Sequence, residues 1–176
     1  MNINGQHGII TATLTAGLGL IFASGAAGAV TSARVFNQNA TGNCQSALPT
    51  FDGQIRKRPL AIQNEGTAPA FVSCAFMSPS NLAGVTQVTL LADNNTGSPV
   101  DISCTLVSGV SHNGVPKYFP KTITMAANSG LNGFTWTTAD NGGANFTDYD
   151  LSASCNLPVG TGLSATQIFF DVDVGA

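Results

Sequence analysis

Val100-Asp101-Ile102-Ser103-Cys104-Thr105-Leu106-Val107-Ser108 alternates apolar and polar side chains. Val100, Ile102, Cys104 and Leu106 share one parity, and Asp101, Ser103 and Thr105 take the other. On an extended chain, positions two apart lie on the same face, so the stretch predicts a strand with one face in a core. Residues 166–174 repeat the pattern through Ile168, Phe170, Val172 and Val174. Further β-like runs stand at 34–37, 59–64, 70–77, 85–92, 121–126, 133–138 and 150–157. Between them lie turn formers such as Asp93-Asn94-Asn95-Thr96-Gly97, His112-Asn113-Gly114 and Asp140-Asn141-Gly142-Gly143. No window after residue 29 carries a helical period. About eight or nine short strands at this spacing predict an all-β, antiparallel β-sandwich, with immunoglobulin-like and jelly-roll-like connections both open.

Only 9% of the residues are charged and the net charge is −3, so the chain has no basic face for nucleic acid. Arg56-Lys57-Arg58 is the one basic cluster, and with Pro59 beside it the pattern fits a guarded sheet edge.

Residues 8–29 hold no charge and end in small residues, including Ala27 and Ala29, as a secretory signal does. The segment before it lacks Lys and Arg, so a retained apolar segment stays open. Either way, residues 30–176 make one domain of ordinary size. The export signal places that domain in a secreted, periplasmic or cell-surface setting.

Cys44, Cys74, Cys104 and Cys155 are too far apart in sequence for a redox pair or a zinc knuckle. In an exported chain they predict two disulfides. Cys74, Cys104 and Cys155 each follow a serine, with Val72, Ile102 or Ala153 two positions earlier. All three should point into the core from central strands. Cys44 sits in loop-like sequence. Of three connectivities, the favoured one is Cys44–Cys74, tying a loop to a strand, with Cys104–Cys155 joining two core strands. Core-facing bridges of this kind suit two stacked sheets better than a barrel.

Residues with chemistry are sparse. His112 adjoins Ser111 on a turn, and no nucleophile elbow is present. The carboxylates form no recognisable pair for general acid and base work. No catalytic residue and no cofactor is expected. Asp140, Asn141, Asn145, Asp148 and Asp150 gather oxygen donors that could suit calcium, although a plain hairpin loop uses the same residue types. Trp136 shares parity with Phe134 and reads as core. Tyr118, Phe119, Phe146 and Tyr149 flank turns and are the candidates for an exposed aromatic platform.

Ser103-Cys104-Thr105-Leu106, Tyr118-Phe119-Pro120, Ala139-Asp140-Asn141-Gly142-Gly143 and Ser154-Cys155-Asn156-Leu157-Pro158 resemble small exported β-domain proteins of Gram-negative bacteria. The resemblance spans roughly residues 70–175 and implies a bacterial exported β domain with no catalytic residues. The expectation is a non-catalytic extracellular module with a binding or structural role. Its partner could be a surface glycan or a protein. A subunit of a filament or surface assembly is the alternative, with residues 8–29 or 34–37 inserted into a neighbour, and a hydrolase ranks last.

Overall fold

The computed structural model describes residues 30–77, 84–109, 115–147 and 150–175. His112, Ser111, Asp148, Tyr149 and the apolar segment 8–29 lie outside them. The chain forms two antiparallel sheets. Eleven strands are present among the described residues. They are β1 (Thr31–Asn39), β2 (Cys44–Ser46), β3 (Ile55–Arg58), β4 (Ala61–Asn64), β5 (Ala70–Phe76), β6 (Val85–Asn94), β7 (Val100–Ser108), β8 (Lys117–Met125), β9 (Ser129–Thr137), β10 (Leu151–Leu157) and β11 (Thr161–Asp173). A one-turn helix, α1 (Ala40–Asn43), joins β1 to β2.

One sheet has six strands: β3-β4-β11-β6-β9, with β1 on β11. The other has five, in the order β2-β5-β10-β7-β8. The long β11 carries two partners along one edge, β4 opposite Gly162 and Leu163 and β1 opposite residues 165–173. The expected strand at 34–37 therefore extends to nine residues and pairs with its own molecule.

Period-2 patterning does what the sequence predicts. Residues 70, 72, 74 and 76 of β5 are buried, as are 102, 104, 106 and 108 of β7 and 151, 153, 155 and 157 of β10. They meet Leu90, Phe134, Trp136, Leu163 and Ile168 of the six-stranded sheet in one core. Each fully buried large apolar side chain stabilises by about 1.5–3 kcal/mol. Trp136 stacks on Phe134 (centroids 5.8 Å, 14° between planes) and donates from Nε1 to the Phe119 carbonyl at 2.8 Å.

Both disulfides are present, Cys44–Cys74 and Cys104–Cys155. Cys44 opens β2 and is buried, so it is a strand residue and not a loop residue. Each bridge joins residues directly opposite each other in neighbouring strands of the five-stranded sheet. Opposed inward positions bring Cβ atoms close enough to crosslink. The bridges thus lie within one layer and do not connect the two layers.

Two equivalent crossings connect the layers. Asn64 ends β4 and Asn94 ends β6, and each precedes a step into the five-stranded sheet. Both are fully buried. The sequence around them repeats: Asn64 and Asn94 are followed by Pro69 and Pro99, then by Val72-Ser73-Cys74 and Ile102-Ser103-Cys104. Asn64 Nδ2 donates to the carbonyls of Ala68 and Leu157, both at 2.8 Å. Asn94 Nδ2 donates to those of Ser98 and Ala126, both at 2.9 Å. The Oδ1 atoms accept from the N–H groups of Gly66 (3.0 Å) and Thr96 (2.9 Å). Each amide closes its own turn and grips a strand of the other sheet.

Candidate ligand-binding face

With one set of alternate positions turned inward or crosslinked, the five-stranded sheet presents the other set to solvent. The register aligns these outward positions in rows across the strands. Ala75, Ser152, Val107 and Tyr118 form one row. Ser73, Ser154, Thr105 and Pro120 form the next, and Phe71, Asn156, Ser103 and Thr122 the one after. Asp101 and Thr124 follow, with Thr124 Oγ1 donating to Asp101 Oδ1 at 2.6 Å. Hydroxyls dominate this face, and Ser103 and Thr122 hydrogen-bond to each other at 2.7 Å.

The first row floors a groove of about 420 Å³, walled by Tyr118, Pro116 and Asp150. Tyr118 is 64% exposed, so its ring stands clear of the sheet. Asp150 holds a left-handed backbone conformation (φ 51°) just before β10 begins, a geometry Asp tolerates better than most residues. A second groove, of about 440 Å³, shares Ala75 and Ser152 with the first and continues toward Gln45, Lys57 and Met77. The two make a trough across the strands. Its floor offers hydroxyl and methyl groups, and Tyr118 supplies an aromatic face at one end.

Phe119 and Phe146 do not belong to this platform. β8 runs further toward its N-terminus than expected, through Pro120, as an edge strand allows. Alternation then turns Tyr118 outward and Phe119 inward. Phe146 is 1% exposed and meets Phe119 edge-on, with centroids 5.2 Å apart.

The oxygen cluster at 140–150 is split among other partners. Asp140 accepts from the Thr137 N–H (2.8 Å) and forms an ion pair with Lys121 (2.9 Å). The Thr137 N–H, ahead of Lys121, holds its carboxyl below the usual range. Asn141 Oδ1 accepts from Lys117 Nζ (3.0 Å), and its Nδ2 donates to the Asn145 carbonyl (2.8 Å). Asp150 lines the Tyr118 groove instead. Among the described residues no group of three or more His, Cys, Asp or Glu could hold a metal ion. Cap and turn hydrogen bonds occupy Asp140 and Asn141, and Asp148 lies outside the described residues.

The other carboxylates are dispersed. Glu65 takes a two-pronged contact from Arg58 (2.6 and 2.5 Å), whose hydrogen bond lowers the Glu65 pKa. Asp52 accepts from Ser46 Oγ. Ser73, Val107 and Ser152 emerge as site residues only from the structure, whereas Asp150 moves from a candidate oxygen donor to a groove wall. The sequence signal of the first three is weak, because it consists of positions between core positions on the cysteine-bearing strands.

No protein-family pattern matches the chain, and no curated protein matches it. Among solved structures, the carbohydrate-binding module TmCBM61 in complex with β-1,4-galactotriose aligns over 78% of this chain and 86% of its own, with 10% identity and a TM-score of 0.32. A structure described as "CBM4 structure and function" aligns over 81% and 84%, with 10% identity and a TM-score of 0.26. Likeness at this level carries no argument about ligand, so the chain's own geometry must supply it.

Proposed function

We propose that the protein is an exported, non-catalytic binding module that takes a neutral glycan in the Tyr118 trough. The carrying observation is the exposed Tyr118 ring beside a groove floored by Val107, Ser152 and Ala75, on a sheet face rich in hydroxyls. A sugar ring has an apolar C–H face and a polar rim. Tyr118 offers a flat partner for the first, while the Ser152 hydroxyl and the Asp150 carboxylate offer hydrogen bonds to the second. A mostly apolar groove with a few placed polar groups is the usual form of a small-ligand site. Scarce charge on the face favours a neutral ligand over a phosphorylated or sulfated one. Two disulfides suit an oxidising compartment, and no helix of the described residues is long and apolar enough to cross a membrane.

A glycan array followed by calorimetry tests the proposal. Tyr118→Ala should weaken binding at least about tenfold, the scale of one lost aromatic contact, with the circular dichroism spectrum unchanged. An array without hits, or a hit indifferent to Tyr118→Ala, would overturn it.

A further inference from the structure

Five strands end the two sheets: β1, β3 and β9 in one, β2 and β8 in the other. Bare edges invite pairing, and proteins blunt them with short strands, charge, proline, bulges or cover. Four edges here are blunted. β2 has three residues. β3 carries Arg56, Lys57 and Arg58 and runs into Pro59. β8 holds Lys117, Pro120 and Lys121. β9 has a register shift opposite Ala92 and Asn94, and its Thr135 carbonyl accepts from Lys121 Nζ at 2.6 Å. Among the described residues β1 has none of these devices beyond a single charge. It is nine residues long, lacks proline and carries one charge, Arg34.

Its main-chain directions can be read from one bond. The Val174 N–H donates to the Val30 carbonyl at 3.0 Å. Bonding direction alternates along an antiparallel ladder. The register then turns the main-chain groups of Ser32, Arg34, Phe36 and Gln38 toward β11 and those of Thr31, Ala33, Val35 and Asn37 outward. Val35 and Phe36 are 48% and 38% exposed and point to opposite sides.

We infer that β1 is a self-association edge, on which a second copy of this chain lays its own β1 antiparallel and continues the six-stranded sheet. The strand suits itself for two reasons. Outward groups meet outward groups when the two-fold axis passes through a residue, and we place it at an odd-numbered one, Ala33 or Val35. Arg34 then faces an even-numbered residue such as Ser32 or Phe36 of the second copy, and never a second Arg34. An isologous contact of this kind closes as a dimer.

Sedimentation velocity and amide exchange on the oxidised full chain test this across a micromolar to sub-millimolar range. A monomer–dimer equilibrium is expected. The amides of Ala33, Val35 and Asn37 should slow only as dimer forms, while those of Arg34, Phe36 and Gln38 are slow at every concentration. Val35→Pro removes an outward N–H that β11 does not use, and Val35→Lys adds an edge charge. Each should weaken dimerisation at least tenfold with the amides facing β11 still protected, and Val35→Lys carries the test alone if the proline variant fails to fold. A monomer throughout would overturn the inference. So would protection of Val35 independent of concentration, which would mean that the chain covers its own edge, or a dimer indifferent to the substitutions.

Discussion

Gln63 of β4 and Asp93 of β6 meet over Gly162 of β11, the residue that faces both of them in its two ladders. Gln63 Nε2 donates to Asp93 Oδ2 at 3.3 Å. The pair can close only because β11 has no side chain there. A Cβ at 162 would lie 2.7 Å from Gln63 Cγ, 2.9 Å from the Ile62 carbonyl oxygen and 3.0 Å from Asp93 Oδ1.

Gly162→Ala should therefore destabilise by about 1–3 kcal/mol, the range for overpacking, because a backbone oxygen cannot step aside. Gly130→Ala is the control, since nothing lies within 4 Å of its Cβ position. It should be neutral or stabilising by up to about 1 kcal/mol. Denaturant midpoints of the two variants check the contrast.

Asn94→Ala should cost about 1–3 kcal/mol, because the fully buried amide loses its hydrogen bonds to the Ser98 and Ala126 carbonyls and from the Thr96 N–H. Asn94→Asp keeps the acceptor but turns a carboxylate toward those carbonyls, and should cost at least as much. Asn64→Ala should behave like Asn94→Ala. Equilibrium unfolding of the three variants is the measurement, and a loss below about 0.5 kcal/mol would show that the crossings do not depend on these amides.

Each disulfide closes a long stretch of chain, with sequence separations of 30 and 51. The chain-entropy model assigns about 4 kcal/mol to each. Ser substitutions at Cys104 and Cys155 should lower stability by about 2–5 kcal/mol and loosen the β7–β10 ladder first. Amide exchange on Ser103, Thr105 and Ser154, followed with and without the bridge, reads this directly.

Asp140 links stability to acid. Its folded pKa is depressed, so its contribution is full above the unfolded value, about 3.9, and is lost as pH falls through the folded value. The Thr137 N–H is the larger cause and Lys121 the smaller. Lys121→Met should therefore raise the Asp140 midpoint only part of the way to an ordinary aspartate. Carboxyl NMR titration of both proteins measures it, and a full return would reverse that ranking.

The sandwich was legible because Ile102, Cys104, Leu106 and their counterparts alternate without interruption, and alternation is the signal a half-buried strand leaves. The same parity put Cys74, Cys104 and Cys155 in the core, where the structure has them. Cys44 was hidden because β2 has three residues, too few to show a period. Phe119 was misplaced because Pro120 and the neighbouring turn masked the start of β8. Asn64 and Asn94 read as ordinary turn formers, since nothing local reveals that an amide reaches a carbonyl as far away as Leu157. The trough was illegible for another reason. Serine and threonine on a solvent face look alike whether or not a ligand rests on them, and only the register shows which of them share a row with Tyr118.

Thr31 lies opposite Asp173, so the outermost residues of β1 and β11 sit side by side. A force drawing those two ends apart would load the ladder one rung at a time, as a zipper opens, and never all rungs together in shear. Held at both ends under tension, this domain would peel from its seam early, with the bridged layer still intact.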